Sequence, residues 1–444
     1  MEEALVLIEE KRFRELREML CEWEPADIAS LLATLPDDRL VVIFRLLPKE
    51  IAAEVFVEMD ADAEELLIGA YSDSELREVI NLLFMDDTVD IIEEMPANVV
   101  SRMLKAVTPD KRLLINELLK YPESTAGSVM TTEYIDLRAD MTVDDAMKRI
   151  RRTGISKETV YTCYVTDPRR RLIGYIDAVT LMIADPDELI GDLMETSVIS
   201  AKTTDNKEDT AADIQKYDLL ALPVVDGEHR LVGIITVDDA IDVITEANED
   251  DFAIMSAMQP IEETYFKTSV LTHAKNRIIW LVILMLSASI SGIIITHYEN
   301  TFATVPILVS FIPMLMNTGG NCGSQSSTMI IRGLATDEIN PSDFLRALFK
   351  EFRIGVLIGA ALFVVGFVQI MIQQNDLRLA LTVGLTLVCS AMLAKLLGCT
   401  LPILAKILKL DPAIMASPFI TTIVDCFTVF VYFNIALLIM NLSV

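Results

Sequence analysis

The chain has 444 residues, a formal net charge of −29 and a pI near 4.4, yet 52% of its residues are hydrophobic and its mean hydropathy is +0.42. One domain type does not easily give both values, and a surface this acidic repels nucleic acid and anionic lipid while it attracts cations. The six cysteines are scattered without a C-x-x-C pair, and the three histidines (His229, His273, His297) are isolated, so nothing points to a zinc site, a disulfide framework or an enzyme.

The charge is unevenly divided. Residues 271–444 carry eight acidic and ten basic side chains, which leaves 58 and 27 in the first 270 residues, a net of −31. The N-terminus, Met-Glu-Glu-Ala, has no apolar run, so no signal peptide is expected and the acidic half is placed in the cytoplasm.

Residues 1–125 read as helix after helix. Apolar residues recur at three and four in Ile28, Leu31, Leu32, Leu35 and again in Val79, Ile80, Leu82, Leu83, with Pro36 and Pro48 near helix starts. Similar units begin at Asp27, Glu50 and Asp90, which predicts an all-α superhelix whose repeats bury their apolar faces on one another.

Residues 126–250 change to an α/β pattern. β-rich runs at Thr159–Val165 and Ala221–Val225 are each followed by a turn and a second strand, Leu172–Ile176 and Leu231–Ile235. Two copies match: Ser128-Val129-Met130 with Asp192-Leu193-Met194, and Leu172-Ile173-Gly174 with Leu231-Val232-Gly233. This segment resembles a tandem pair of cystathionine-β-synthase (CBS) domains. The resemblance implies an adenosine nucleotide such as ATP at the second copy's G-x-x-T-x-x-D, that is Gly233, Thr236 and Asp239; the first copy has Asp177 where Thr is expected.

Residues 251–275 form an amphipathic connector interrupted by Pro260. From residue 276 onward come five apolar spans, at roughly 277–296, 304–331, 354–373, 379–401 and 412–443, each long enough to cross a bilayer. With a cytoplasmic N-terminus, the inner segments hold Lys275, Arg332, Arg346, Lys350, Arg353, Lys406 and Lys409 and the outer loops only Arg378, in keeping with the positive-inside rule. Lys395 is expected to snorkel towards the inner face or to pair with a carboxylate.

Two features carry chemistry. Asp425 reads as the only carboxylate deep in the apolar half, and such a charge normally faces a partner, a wet cavity or an ion path. The second span holds Pro306, Pro313 and the polar run Asn317-Thr318-Gly319-Gly320-Asn321-Cys322-Gly323-Ser324-Gln325-Ser326-Ser327-Thr328, which predicts a broken helix. Freed carbonyls with Asn317, Asn321, Ser324 and Thr328 would suit a hard, hydrated cation. A plainer reading is close helix packing through small residues.

Together, the helical repeats, paired CBS domains, connector and five spans with Met-Asn-Thr-Gly-Gly-Asn-x-Gly-x-Gln resemble the MgtE family of magnesium channels/transporters over essentially the whole chain. The resemblance implies a homodimer in the plasma (inner) membrane, a connector that acts as a plug helix, and a Mg²⁺ pore lined by the second and fifth spans. It assigns hydrated Mg²⁺ to Asp425 and pore-lining places to Gly320 and Thr328, with Ser324 where Asn is expected. It assigns regulatory Mg²⁺ to Glu54, Asp86, Asp90, Glu208, Asp218, Asp239, Asp250, Asp251 and Asp411, while Asn206 and Ala247 stand where the family has carboxylates. The competing readings are a CBS-regulated secondary transporter of another divalent cation and a nucleotide sensor on a membrane anchor.

Overall fold

The computed structural model describes residues 1–261, 265, 268–299, 305–336 and 338–441. The chain forms two compact units, Met1–Thr245 and Glu246–Val444.

The first unit opens with ten short helices, α1 (Glu2–Glu9) to α10 (Pro109–Leu118). Proline or a small polar residue starts many of them: Pro25 and Pro109 lie in the first turn, while Asp60, Ser72 and Thr108 accept a backbone N–H at the cap. Each helix is too short to be stable alone. Stability comes from stacking, and helices two apart in sequence pack on one another along much of the row. Leu16, Leu20, Ile28, Leu31, Leu32, Phe44 and Phe56 fill the core, which continues into the α/β part through Met130, Leu222, Val224 and Ile235.

That part contains two three-stranded sheets. In the first, β1 (Asp136–Arg138) runs parallel to β2 (Thr162–Thr166), which pairs antiparallel with β3 (Leu172–Asp177). The second repeats this order with β4 (Ala201–Lys202), β5 (Ala221–Val225) and β6 (Leu231–Thr236). Five helices flank them: α11 (Val143–Thr153), α12 (Ala178–Ile183), α13 (Ile190–Leu193), α14 (Lys207–Lys216) and α15 (Val237–Met255). The matched segments cross over between copies. A Cβ built on Gly174 would lie 2.7 Å from Met194 Sδ, and one on Gly233 would lie 2.7 Å from Met130 Sδ. The first segment of each copy therefore packs against the last strand of the other, and Gly233 serves close backbone approach.

The connector is redrawn. Asp251 lies inside α15, and the first apolar helix, α16 (Val270–His297), already contains the connector's last residues. The plug segment between them falls partly on residues 262–264 and 266–267, outside the described residues.

The second unit continues with α17 (Ile312–Ala335), α18 (Phe344–Gln374), α19 (Leu377–Ile407) and α20 (Ser417–Met440). Among the described residues, four helices are long and apolar enough to cross a membrane, and α17 is not one of them. Its 24 residues would rise about 36 Å, so length suffices and the polar run lowers the hydropathy. The expected break is absent. Pro306 opens a 3-10 turn and Pro313 sits in the first turn of α17, where no intrahelical N–H bond is lost. Backbone carbonyls of Asn317–Thr328 are thus spent within a continuous helix.

Candidate functional site: a polar helix seam and a buried carboxylate group

Glycines bring α17 and α20 together. A Cβ on Gly319 would fall 2.6 Å from Thr428 Oγ1, one on Gly320 would fall 2.7 Å from Thr421 Cγ2, and one on Gly323 would fall 2.7 Å from Ile420 Cγ2. Gly320 thus faces Thr421, and the small residues make the close helix contact. Helical spacing puts Thr421, Asp425 and Thr428 on one face of α20, so Asp425 projects at this seam. Its Oδ1 is buried without a hydrogen-bond partner among the described residues, as is Thr428 Oγ1. Buried polar atoms are nearly always paired, so two orphaned oxygens on one seam single it out as the place in this unit best able to receive a polar group or an ion.

Asn317, Asn321, Ser324 and Thr328 recur at four, three and four residues and form one stripe on α17. Asn317, Asn321 and Thr328 are exposed and Ser324 is half-buried. Lipid does not satisfy such groups, so this face suits water or a second protein surface.

Two expectations about this unit are corrected. Asp425 is not alone: Glu351, predicted outside the third span, lies in α18 and is only 9% exposed. Its Oε2 accepts a hydrogen bond from Ser326 Oγ. Lys395 does not snorkel; it is 4% exposed and its Nζ donates to Gln325 Oε1 at 3.4 Å.

In the first unit the acidic residues converge. Carboxylate oxygens of Asp86, Glu133 and Glu158 lie within 4.8 Å of one another. Asp86 stands at the start of α8 (Met85–Glu94), 5% exposed, with its Oδ1 unpartnered among the described residues; Glu158 Oε2 is likewise orphaned. Burial, then the nearby Asp239, Asp87 and Glu158, pushes the Asp86 carboxyl well above its ordinary range. Glu158 is pushed up to about 8 by burial and by Asp87, Asp239 and Asp238. Asp239 rises to about 6 through burial, although Thr236 Oγ1 donates to it at 2.5 Å. In α6 (Ala61–Ala70), Glu64 is 3% exposed and rises to about 8 through burial and the charges of Glu94, Asp60, Asp87 and Asp90. Lys111 and Lys157 are cations near Glu133 in the group, and the Lys111 Nζ donates to the Ile80 and Leu83 carbonyls at 3.1 and 2.6 Å.

Asp86 and Asp239 thus join one electrostatic group, which Glu64, Glu133 and Glu158 extend. Asp90, one turn beyond Asp86, belongs to the same group: its carboxyl is pushed up to about 7 by burial and by Asp239, Glu93 and Asp87, although the residue still reaches solvent, whereas Glu54 is simply exposed on α5 (Lys49–Val57). Glu208, Asp218 and Asp250 are exposed elsewhere, and Asp251 is half-buried. Asn206 caps α14 by accepting from the N–H groups of Glu208 and Asp209. Asp411 caps a 3-10 turn, its Oδ1 accepting from Ala413 N at 2.7 Å.

Residues 312–435 match the family model of a divalent cation transporter, MgtE. Residues 23–124 match the MgtE intracellular N domain, and 126–186 and 190–246 match CBS domains. The chain is 33% identical over 450 residues to the magnesium transporter MgtE of Thermus thermophilus, covering 99% of this chain and 100% of that one. It is 30% identical to the magnesium transporter MgtE of Bacillus subtilis, covering 97% and 95%. A solved cytosolic domain of the Mg²⁺ channel MgtE, in complex with ATP, is 35% identical at a TM-score of 0.51 and covers 55% of this chain and 98% of that one. The chain belongs to the MgtE family of magnesium transporters.

Proposed function

We propose that this protein carries Mg²⁺ across the plasma membrane as a homodimeric channel, with a hydrated ion held at Asp425, and that Mg²⁺ bound to its acidic cytosolic unit closes the path. The observation that carries the pore reading is the orphaned Asp425 oxygen on the α17–α20 seam, beside the polar stripe of Asn317, Asn321, Ser324 and Thr328. The side chains present fit a cation that keeps its water: they offer one carboxylate per chain and neutral oxygens, and Mg²⁺ dehydrates reluctantly. A second copy would double the carboxylate and cover the stripe.

For regulation, Asp86, Glu133, Glu158 and Asp239 are the residues we assign to Mg²⁺ in the cytosolic unit. At low Mg²⁺ burial and mutual repulsion make these carboxyls costly to ionise and the unit loosens; at high Mg²⁺ the ion displaces their protons, neutralises the carboxylates and the unit compacts. We assign the acids Glu54, Asp90, Glu208, Asp218, Asp250, Asp251 and Asp411 to further regulatory ions. ATP is assigned to the second CBS copy at Gly233, Thr236 and Asp239, where Thr236 already donates to Asp239.

The rival, a coupled transporter of another divalent cation, gains one observation: Glu351 and Lys395 add two buried ionisable groups to Asp425. Uptake by purified protein in liposomes, with and without a proton or sodium gradient, separates the two readings. Asp425→Ala should abolish Mg²⁺-dependent growth of a host that lacks its own Mg²⁺ uptake; normal growth removes Asp425 from the path.

A further inference from the structure

Two charges of opposite sign are buried in the membrane unit away from the α17–α20 seam, and both meet α17 at consecutive residues. Glu351 on α18 accepts from Ser326, and Lys395 on α19 donates to Gln325 at 3.4 Å. Neither contact is an ion pair, for each charge rests on a neutral side chain. The two still belong to one local group. Gly355 stands one turn beyond Glu351 on the same face of α18, and a Cβ there would lie 3.6 Å from both Cβ and Cγ of Lys395.

Gln325 connects this group to the polar stripe. On the α17 surface it is the neighbour of Asn321, four residues before, and of Thr328, three residues after. The Lys395 ammonium therefore stands one side-chain layer behind the stripe. Burying a charge in such a place is costly, and well-packed apolar residues would hold the helices at least as well. In a medium of low dielectric a charge at this depth acts strongly on a passing divalent ion. Lys395 without Glu351 would repel the ion, and Glu351 without Lys395 would retain it.

We propose that Glu351 and Lys395 are positioning residues that act as a charge-compensated couple behind the pore helix, and that their balance sets how tightly the path along α17 holds a divalent cation. This rests on the reading of the α17–α20 seam as the cation path. The couple meets α17 through Gln325 and Ser326, and acts on the ion through space and through the orientation of those two side chains.

The test is Mg²⁺ uptake by the full-length protein in liposomes, measured against external Mg²⁺ for Glu351→Gln, Lys395→Met and the double variant. Glu351→Gln should raise the apparent KM by about three- to ten-fold, and Lys395→Met should lower it by a similar factor. The double variant should return to within about two-fold of the parent, as should Glu351→Asp and Lys395→Arg, which keep the charges. A purely structural role would impair both single variants alike and add in the double. Shifts of KM in the same direction, or a double variant worse than either single one, overturn the proposal. If a single variant fails to yield a monodisperse protein in detergent, the double must restore it, and failure to do so also overturns the proposal. Asp425→Asn tells the two readings apart. Normal uptake by that variant discards the pore path itself, whereas loss of uptake with unchanged KM in both single variants discards only the couple.

Discussion

Thr236 donates its hydroxyl hydrogen to Asp239 at 2.5 Å, so the two polar residues of the second G-x-x-T-x-x-D satisfy one another. The same carboxylate faces Asp86 and Glu158, which places one side chain between a nucleotide motif and a group of buried acids. Thr236→Val removes the donor and leaves a half-buried carboxylate with less to hold it. We expect the full chain, in detergent and without Mg²⁺, to lose about 1–3 kcal/mol of stability, with Mg²⁺ restoring part of it. An unchanged midpoint of thermal unfolding would remove this hydrogen bond from the energetics of the unit.

The raised carboxyls give the cytosolic unit a defined pH dependence. Glu64 and Glu158 titrate at about 8 and Asp239 at about 6 in the folded state, all above their ordinary values near 4. The folded chain then holds protons that the unfolded chain releases. Their contribution to stability is complete below about pH 4, the unfolded range, and is lost as pH rises through 6 to 8. Without Mg²⁺, the protease resistance of this unit in the full-length protein should fall steadily between about pH 5.5 and pH 8.5. Millimolar Mg²⁺ should flatten the curve. Resistance that rises with pH in Mg²⁺-free buffer contradicts the assignment.

Much of this architecture is legible in the sequence, and the misses have physical causes. The repeats Met130/Met194 and Gly174/Gly233 are visible as matched positions, but their crossed packing is a long-range contact that no local pattern encodes. The broken second span fails as an expectation because proline disrupts only a helix interior, and Pro313 stands in the first turn. Glu351 is missed because α18 begins at Phe344, ten residues before the apolar run predicts, which draws the carboxylate inside the packed helices. Glu133 and Glu158 carry no signal among 66 acidic residues, since only the fold brings them to Asp86. Asp425, by contrast, stands out in sequence because its helix is otherwise apolar, and the structure adds that its oxygen is orphaned.

Asp86 should behave as a carboxylate that Mg²⁺, rather than the protein, makes favourable to ionise. Its neighbours in the group are mainly acids, and Lys111 is already engaged by two carbonyls. Asp86→Asn keeps the shape and removes the cost of holding this carboxyl protonated or ionised in a buried site. The variant should therefore unfold at a higher temperature than the parent in Mg²⁺-free buffer, by about 1 kcal/mol or more, and gain less on adding Mg²⁺. A parent-like increment with Mg²⁺ would place the ion elsewhere.

The glycine seam predicts a sharp contrast between two substitutions of the same type. A Cβ at Gly323 would fall 2.7 Å from Ile420 Cγ2 and 3.0 Å from Val424 Cγ2, while its own carbonyl is 2.5 Å from the Cβ position of Gly398. Three helices meet there, so Gly323→Ala cannot be relieved by turning one side chain, and overpacking of this kind costs about 1–3 kcal/mol. Gly69 in α6 has nothing within 4 Å of its Cβ position, so Gly69→Ala should instead stabilise by about 0.5–1 kcal/mol through helix propensity. Because Gly323 lies between Gly319 and the stripe residue Ser324, its substitution should also slow Mg²⁺ uptake, whereas Gly69→Ala should not. Both effects can be read from thermal unfolding in detergent and uptake in liposomes. Equal behaviour of the two variants would mean that α17 and α20 are not in this close contact in the working protein.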